Sequence, residues 1–293
     1  MMGGVRTLAS PLVSHFGWSC CHSRKIPIIM LLAFKLLLAP TLIGLVSLAG
    51  RRWGPAVSGW LAGLPLTSAP VILFLALGQG TAFASIAAHG TLFGLVSQGG
   101  FCLAYSWFSL RAGWPGSILA GWVIFFALTV ILVHIAMPLL FSFVVAIACL
   151  TIVLILLSGT RNPGIVKNPP PWETPLRMLV AAAFVVGLTG VASLLGPQLS
   201  GLLAPFPMFA TILAVFTHHY QGAAASRRLL LGVVAGSFTP VVFFLVISLL
   251  LRSWGIAAAF ALAILVAMMT HGTTFFLMSH FHKHMIDLTR SRQ

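Results

Sequence analysis

The chain has 293 residues, of which 59% are hydrophobic and only 6% are charged, and its mean hydropathy is +1.08. No soluble domain has this balance, so the composition predicts a polytopic protein that lies mostly inside a lipid bilayer. The formal net charge is +14, but the basic residues fall mainly in short loops between apolar runs. They are therefore interpreted as signals for membrane topology, and nucleic acid is excluded as a partner.

Nine apolar segments approach the ~20 residues that a transmembrane helix needs. We therefore predict an all-α fold, a polytopic transmembrane helical bundle. The predicted helices, one to nine in chain order, cover residues 28–50, 56–78, 84–108, 115–135, 138–158, 176–195, 199–217, 228–251 and 255–279.

One membrane segment occurs twice, at a constant spacing of 142 residues (196 − 54). Residues 54–80 and 196–222 share glycine, proline, serine and glutamine at matching positions, including Pro65/Pro207. Chance similarity between membrane helices would match leucine and alanine instead. Helices one to four form the first repeat and helices six to nine the second, with helix five unmatched, which gives a 4+1+4 architecture. Such a duplication is typical of transporters, in which the substrate site lies between the repeats.

This architecture divides the chain into five parts. They are an N-terminal extension (1–27), the first four-helix repeat (28–136), the linking helix with a polar linker (137–175), the second four-helix repeat (176–279) and a histidine-rich basic tail (280–293).

The two repeats are predicted to be inverted, because an odd number of helices precedes the second copy. The loop charges change side accordingly: Arg51 corresponds to Ser193, whereas Arg227 corresponds to Ser85. The positive-inside rule then favours an N-terminus outside and a C-terminus inside the membrane. The three basic residues of the N-terminal extension favour the opposite orientation.

Proline and glycine interrupt the second helix of each repeat. Gly63 and Pro65 fall inside helix two, and Pro205 and Pro207 fall inside helix seven. Proline removes a backbone donor, and freed backbone groups at membrane depth need cover from protein or a wet cavity. Paired broken helices form the substrate site of several inverted-repeat transporters, while a simple proline kink is the alternative. The predicted substrate-binding residues at the breaks are Pro65, Thr67, Ser68, Pro207 and Thr211.

Lys35 is a further candidate for the substrate site, because it follows the apolar run IPIIMLLAF. An intramembrane cation marks a functional site by default, and here it would hold an anionic group. The alternative is that its long side chain reaches the interface. Its repeat mate, Arg177, lies two residues after Pro175 and is expected at the interface.

Acidic residues are absent from the predicted membrane segments, since the two in the chain, Glu173 and Asp287, lie in the linker and the tail. This argues against a cation site and leaves anionic or neutral solutes, or lipids. Proton coupling would fall to histidines at membrane depth, such as His89 and His271, for which structural hydrogen bonding is the alternative. No constellation of nucleophile, base and acid is present, so we expect neither an enzyme nor a cofactor.

Two pairs of glycines lie four residues apart on helices three and eight. They are Gly90 with Gly94 and Gly232 with Gly236. This spacing lets helices approach closely, so we expect these glycines to pack helices together and to join the two repeats.

A metal site is a further hypothesis for the C-terminal stretch HGTTFFLMSHFHKHM. His280 and His284 are four residues apart, and His271 precedes them. Histidines at this spacing on a helix can share a metal ion. Histidine-rich tails without such a function are the alternative.

The string from Gln198 to Phe244 resembles the GlpM family of small bacterial inner-membrane proteins. The resemblance rests on SGLLAPFPMFA (200–210), on Gly222 and on the LLLGVVAGSFTP run that ends at Pro240. It covers residues 176–255 directly, and reaches 34–113 only through the internal repeat, in which Gln98 replaces Pro240. It implies a bacterial inner-membrane protein built from a duplicated four-helix unit, and it brings no activity or binding residues.

Together these patterns predict a permease for a small anionic or neutral metabolite, with its site between the broken helices two and seven. The partners would be the lipid bilayer and the solute, with a homo-oligomer as an open alternative. The rival hypothesis is a membrane scaffold, or a regulatory factor for another membrane system.

Overall fold

The computed structural model describes residues 28–135, 137–159, 169–187 and 206–290. Side chains are described for 36–135, 137–159, 169–187 and 206–277. The predicted N-terminal extension, the first half of helix seven and the side chains of Lys35, His280 and His284 therefore lie outside the described residues.

The prediction of an all-α helical bundle is confirmed, because the described residues are almost entirely helical and contain no strand. Within the described ranges, four apolar helices are long enough to cross a membrane, which supports a membrane protein. In chain order the helices are α1 Ile28–Trp53, α2 Pro55–Ala62, α3 Ser68–Gln79, α4 Thr81–Phe108, α5 Trp114–Val133, α6 Leu139–Ser158, α7 at residues 173–187, α8 Met208–Gln221, α9 Ala223–Gly236 and α10 Phe238–Arg290.

Helix α10 consists of two helices joined by a kink at Gly255, whose φ of 75° and ψ of 177° are not helical. The predicted helices eight and nine therefore correspond to α9 with the first part of α10, and to the second part of α10. Helix two is interrupted as the glycine and proline pattern suggests: α2 ends at Ala62 and α3 begins at Ser68. Pro70 lies in the first turn of α3, where its missing N–H costs no hydrogen bond.

The same turn geometry recurs at the same place in both repeats. Gly80 and Gly222, which are 142 positions apart (222 − 80), have φ of 92° and 91° and follow Gln79 and Gln221. Each separates two helices, α3 from α4 and α8 from α9. A side chain at such a positive φ is strained, so both copies of the turn require glycine.

Gly222→Ala is expected to lower the free energy of unfolding by about 1–2 kcal/mol, since a Cβ is strained in this left-handed conformation. A melting temperature measured in detergent would show the loss. Gly78→Ala is the matched control, because a Cβ at Gly78 would meet nothing within 4 Å and its φ is not positive. Equal melting temperatures for the two variants would contradict the role of the turn.

The repeats differ where Pro240 replaces Gln98. Pro240 has no N–H to donate to the carbonyl of Gly236, four residues earlier. Helix α9 ends at that glycine, whereas in the first repeat α4 continues through Gln98. The Gln98 side chain donates from Nε2 to the Oγ of Ser237, the residue between α9 and α10, over 3.0 Å. The glutamine of one repeat thus contacts the junction of α9 and α10 in the other.

The centre of the bundle is formed by α2, α4, α9 and the first part of α10. Phe101 and its repeat mate Phe243 are both fully buried there. Helices α5 and α6 lie at the periphery, and many of their large apolar side chains are exposed, including Leu119, Val123 and Leu140. In a membrane these residues face lipid.

Candidate functional site

The two repeats make their closest approach where α2 crosses α9. A Cβ built on Gly59 would overlap the carbonyl oxygen of Leu229, and one on Gly232 would overlap that of Ala56. Gly63 and Gly236 also approach backbone to backbone. Only glycine permits this separation, so the crossing fixes the end of α2 against the end of α9.

The glycines predicted to pack helices have different surroundings in the two repeats. Gly232 lies against Ala56 and Trp60 of the other repeat, and Gly236 lies against Trp60 and Gly63. Gly94 is buried, whereas Gly90 is exposed and a Cβ on it would meet nothing within 4 Å. The repeat mates Gly90 and Gly232 therefore occupy unlike environments.

The break of helix two and the start of α8 meet at one cleft. It is lined by Thr67 and Leu64 from the break and by Phe209 from the first turn of α8. Val46 of α1 forms another wall, and the cleft is narrow, with a volume of about 10 Å³ that holds about one water molecule. The start of α8 follows Pro207, so this proline of the second repeat lies near the break of the first.

The predicted site residues are distributed unevenly around this cleft. Thr67 lines it and precedes α3, and its side chain makes no capping hydrogen bond. The carbonyls of Pro65 and Pro207 accept the first helical bonds of α3 and α8, from Ala69 and Thr211, each over 2.9 Å. The Thr211 hydroxyl is buried against α5, where it accepts from Trp122 Nε1 over 3.3 Å.

An aromatic cluster holds the start of α8 in place. Phe206 stacks on Phe184 with ring centroids 5.4 Å apart and meets Trp122 edge-on at 5.6 Å. Phe125 and Phe126 complete the cluster. Sequence reasoning missed this cluster, because its members are far apart along the chain and each is an ordinary apolar residue of a membrane helix.

A buried ion cluster lies at the other end of α2. Arg177 donates from Nε and Nη2 to Glu173 Oε1, over 3.1 and 2.5 Å, and both side chains are nearly inaccessible. Arg51 Nη2 lies 3.6 Å from Glu173 Oε2 and donates to the carbonyl of Pro170 over 2.6 Å. One carboxylate thus joins two guanidinium groups from opposite repeats.

Arg177, which we expect at the membrane interface, is buried within the protein and is only 4% exposed. Its Nη1 donates to Ser47 of α1 and its Nη2 to Thr217 of α8, both over 3.3 Å. The helix begins at residue 173, and the hydroxyl of Thr174 in its first turn is buried without a hydrogen-bond partner. The opposite charges of Glu173 and Arg177 at i and i+4 are the signal that could have identified the pair.

His89 and His271 each contact an aromatic ring and a hydroxyl group. His271 stacks on Trp60 with ring centroids 3.7 Å apart, and its Nδ1 lies 2.9 Å from Thr239 Oγ1. His89 Nε2 lies 3.0 Å from Ser142 Oγ. Within the part of the chain that the structure describes, no three potential ligands among histidine, cysteine, aspartate and glutamate form a metal site.

Geometry and sequence thus supply a candidate site at the helix breaks and a buried ion cluster at the far end of α2. Comparison with protein-family models, with curated proteins and with solved structures finds no match for this chain.

Proposed function

We propose that the chain is a permease for a small anionic or neutral metabolite, and that its solute site is the cleft where the break of helix two and the start of α8 meet. The observation that carries the proposal is that Thr67 and Phe209, one from each repeat, line the same cleft. Inverted-repeat transporters of several kinds bind their solutes between paired broken helices.

The depth of the break fits such a site. Helix α2 has eight residues, so at 1.5 Å per residue it is ~12 Å long. The hydrocarbon core of a bilayer is ~30 Å thick, which puts the break close to its midplane. There the N-termini of α3 and α8 supply N–H groups with partial positive charge, and the Thr67 hydroxyl adds a polar group.

The charges at this depth favour an anionic or neutral solute. Glu173 is one of two acidic residues in the chain, and its carboxylate is already bound to Arg177 and Arg51. The helix N-termini at the break would repel a cation, and no carboxylate among the residues that line the cleft would bind it. The GlpM resemblance and the loop charges support a location in a bacterial inner membrane, with the C-terminus inside.

Transport would require the cleft to open. Its volume of about 10 Å³ holds about one water molecule, whereas typical ligand pockets have ~300–1,000 Å³. The residues between α2 and α3 provide a hinge. The N–H groups of Gly63 and Leu64 still bond back to α2, and the first bond of α3 runs from Ala69 to the carbonyl of Pro65.

Cysteine labelling tests this proposal. In a chain whose cysteines at 20, 21, 102 and 149 are replaced by alanine, Thr67→Cys is expected to react with a water-soluble maleimide in sealed vesicles. Leu119→Cys is the matched control, because the Leu119 side chain is 63% exposed on the lipid-facing surface and should stay unlabelled. A solute that raises the melting temperature in a screen of organic anions and neutral metabolites should slow the labelling of Thr67→Cys.

A membrane scaffold is the second candidate, and the tight packing of α2 on α9 favours it. A scaffold needs no water at the break. The permease would be rejected if Thr67→Cys stays as unreactive as Leu119→Cys and if no solute raises the melting temperature. The scaffold would then be the remaining candidate.

A further inference from the structure

A second cleft lies beside the buried ion cluster, at the N-terminal end of α2 and thus at the opposite end of this helix from the break. Its lining comes from α1, α2, α7 and α8 and includes Arg51, Ser58, Glu173, Arg177 and Thr217. Its volume of about 10 Å³ holds about one water molecule, so no solute can pass through it. The ion cluster therefore lies at a closed end of the helix bundle.

The helices α1, α2 and α8 line both clefts. Helix α1 contributes Val46 to the cleft at the break and Ser47 to the cleft beside the ion cluster. Helix α8 contributes Phe209 to the first and Thr217 to the second. These two residues are eight positions apart (217 − 209), which is ~12 Å along a helix. A separation of α1 from α8 at the ion cluster would therefore open a path toward the break.

The two ion pairs of the cluster differ in what they join. Glu173 and Arg177 both belong to α7, so their contact stays within the second repeat. Arg51 comes from α1 of the first repeat, and its Nη2 lies 3.6 Å from Glu173 Oε2 and 2.6 Å from the carbonyl oxygen of Pro170. Among the described residues, the pair of Arg51 with Glu173 is thus the ion pair that joins the two repeats.

The contacts of Arg51 can break without leaving a buried charge unpaired. The Arg51 side chain is 27% exposed, whereas that of Glu173 is 2% exposed. When Arg51 moves into water, the Glu173 carboxylate keeps Arg177 as its counter-ion, with Nε 3.1 Å away. The hydrogen bond from the Arg51 guanidinium is charge-assisted and holds the closed arrangement until then. These contacts can therefore both hold the repeats together and release them.

We propose that the contacts of Arg51 with Glu173 and with the carbonyl of Pro170 form a gate at this end of the bundle. The gate closes the path to the solute cleft on the side of the membrane where α1 ends and α2 begins. It opens when Arg51 leaves Glu173 and the first repeat separates from α7 and α8. This inference rests on the proposed function and adds how the solute cleft is closed on one side.

Cysteine labelling at Ser58 tests the gate directly, since Ser58 lines the second cleft and is only 2% exposed. In the cysteine-free chain, Ser58→Cys is expected to react slowly with a water-soluble maleimide in vesicles of either orientation. Arg51→Met should speed this reaction about tenfold, in the one orientation that presents the Arg51 side to the reagent, because a charge-assisted hydrogen bond is lost. Arg52→Met is the matched control, because it removes the same charge from an exposed neighbour and should leave the rate unchanged. An unchanged rate in Arg51→Met would overturn the proposal.

Salt dependence separates the ion pair from a general loosening of the packing. Raising the salt concentration from ~0.1 M to ~1 M shortens the screening length and weakens a partly exposed ion pair. Ser58→Cys should then react faster in the chain that keeps Arg51, and should not respond in Arg51→Met. If the rate does not respond to salt in the chain that keeps Arg51, the gate is overturned, even where melting temperatures show that Arg51→Met does not fold.

Thr67→Cys distinguishes a failure of the gate from a failure of the proposed function. If Arg51→Met speeds the labelling of both Ser58→Cys and Thr67→Cys, the gate and the solute cleft lie on one path. If Ser58→Cys responds and Thr67→Cys is unreactive in every chain, the gate at this end is supported and the permease is rejected. If Thr67→Cys reacts while Ser58→Cys does not respond to Arg51→Met, the permease stands and the gate is overturned.

Discussion

Gly232→Ala is expected to destabilise the protein by about 3 kcal/mol, because the added Cβ would overlap the backbone carbonyl oxygen of Ala56. A backbone atom cannot turn aside as a flexible side chain can, so α2 and α9 would have to separate. The loss should appear as a lower melting temperature in detergent and as a lower midpoint of unfolding by sodium dodecyl sulfate.

The repeat itself supplies the control. Gly90 is the mate of Gly232, also lies in a helix, and has no atom within 4 Å of a built Cβ. Gly90→Ala is therefore expected to be neutral, or to stabilise the protein by up to ~1 kcal/mol through helix propensity. Gly59→Ala, on the opposite face of the crossing, should resemble Gly232→Ala. Similar stabilities for the variants at positions 90 and 232 would contradict the close approach.

Arg177→Met is expected to lower the free energy of unfolding by about 3–5 kcal/mol, because it leaves the Glu173 carboxylate buried without its closest cation. The double variant Glu173→Met with Arg177→Met removes both charges and should recover much of this loss. Unfolding in detergent gives both values, and together with the value for Glu173→Met alone they give the coupling between the two side chains.

Arg52→Met is the control for the loss of a basic residue next to Arg51. Arg52 is exposed, and its Cζ lies 5.9 Å from the centroid of the neighbouring Trp53 ring. Its substitution should change stability by no more than about 0.5 kcal/mol. If the double variant is as unstable as Arg177→Met, an uncompensated charge is not the cause of the loss.

The tight crossing also links the two irregular points of the fold. Gly63, which follows the last residue of α2, lies against Gly236, the last residue of α9. Movement at the break of helix two would therefore displace the end of α9 in the other repeat. This gives the proposed permease a direct connection between its solute cleft and the packing of its two halves.

Local features of the sequence predicted several elements of the fold. Hydropathy identified the helices, and the prolines and glycines of residues 63–70 marked the break between α2 and α3. The repeat spacing identified Gly80 and Gly222 as equivalent positions, which then have the same backbone geometry. These features depend on a few consecutive residues, so each can be inferred without knowing what packs against it.

Which helices meet was decided only in the tertiary structure. Nothing in the sequence placed Gly59 against α9, buried Arg177 beside Ser47, or stacked His271 on Trp60. The physical reason is that a membrane helix is apolar on nearly every side, so its hydropathy does not distinguish a lipid-facing surface from a protein-facing one. The sequence by itself therefore determined the membrane class, the helices and their breaks, while contacts between residues distant in the chain determined the two clefts and the buried ion cluster.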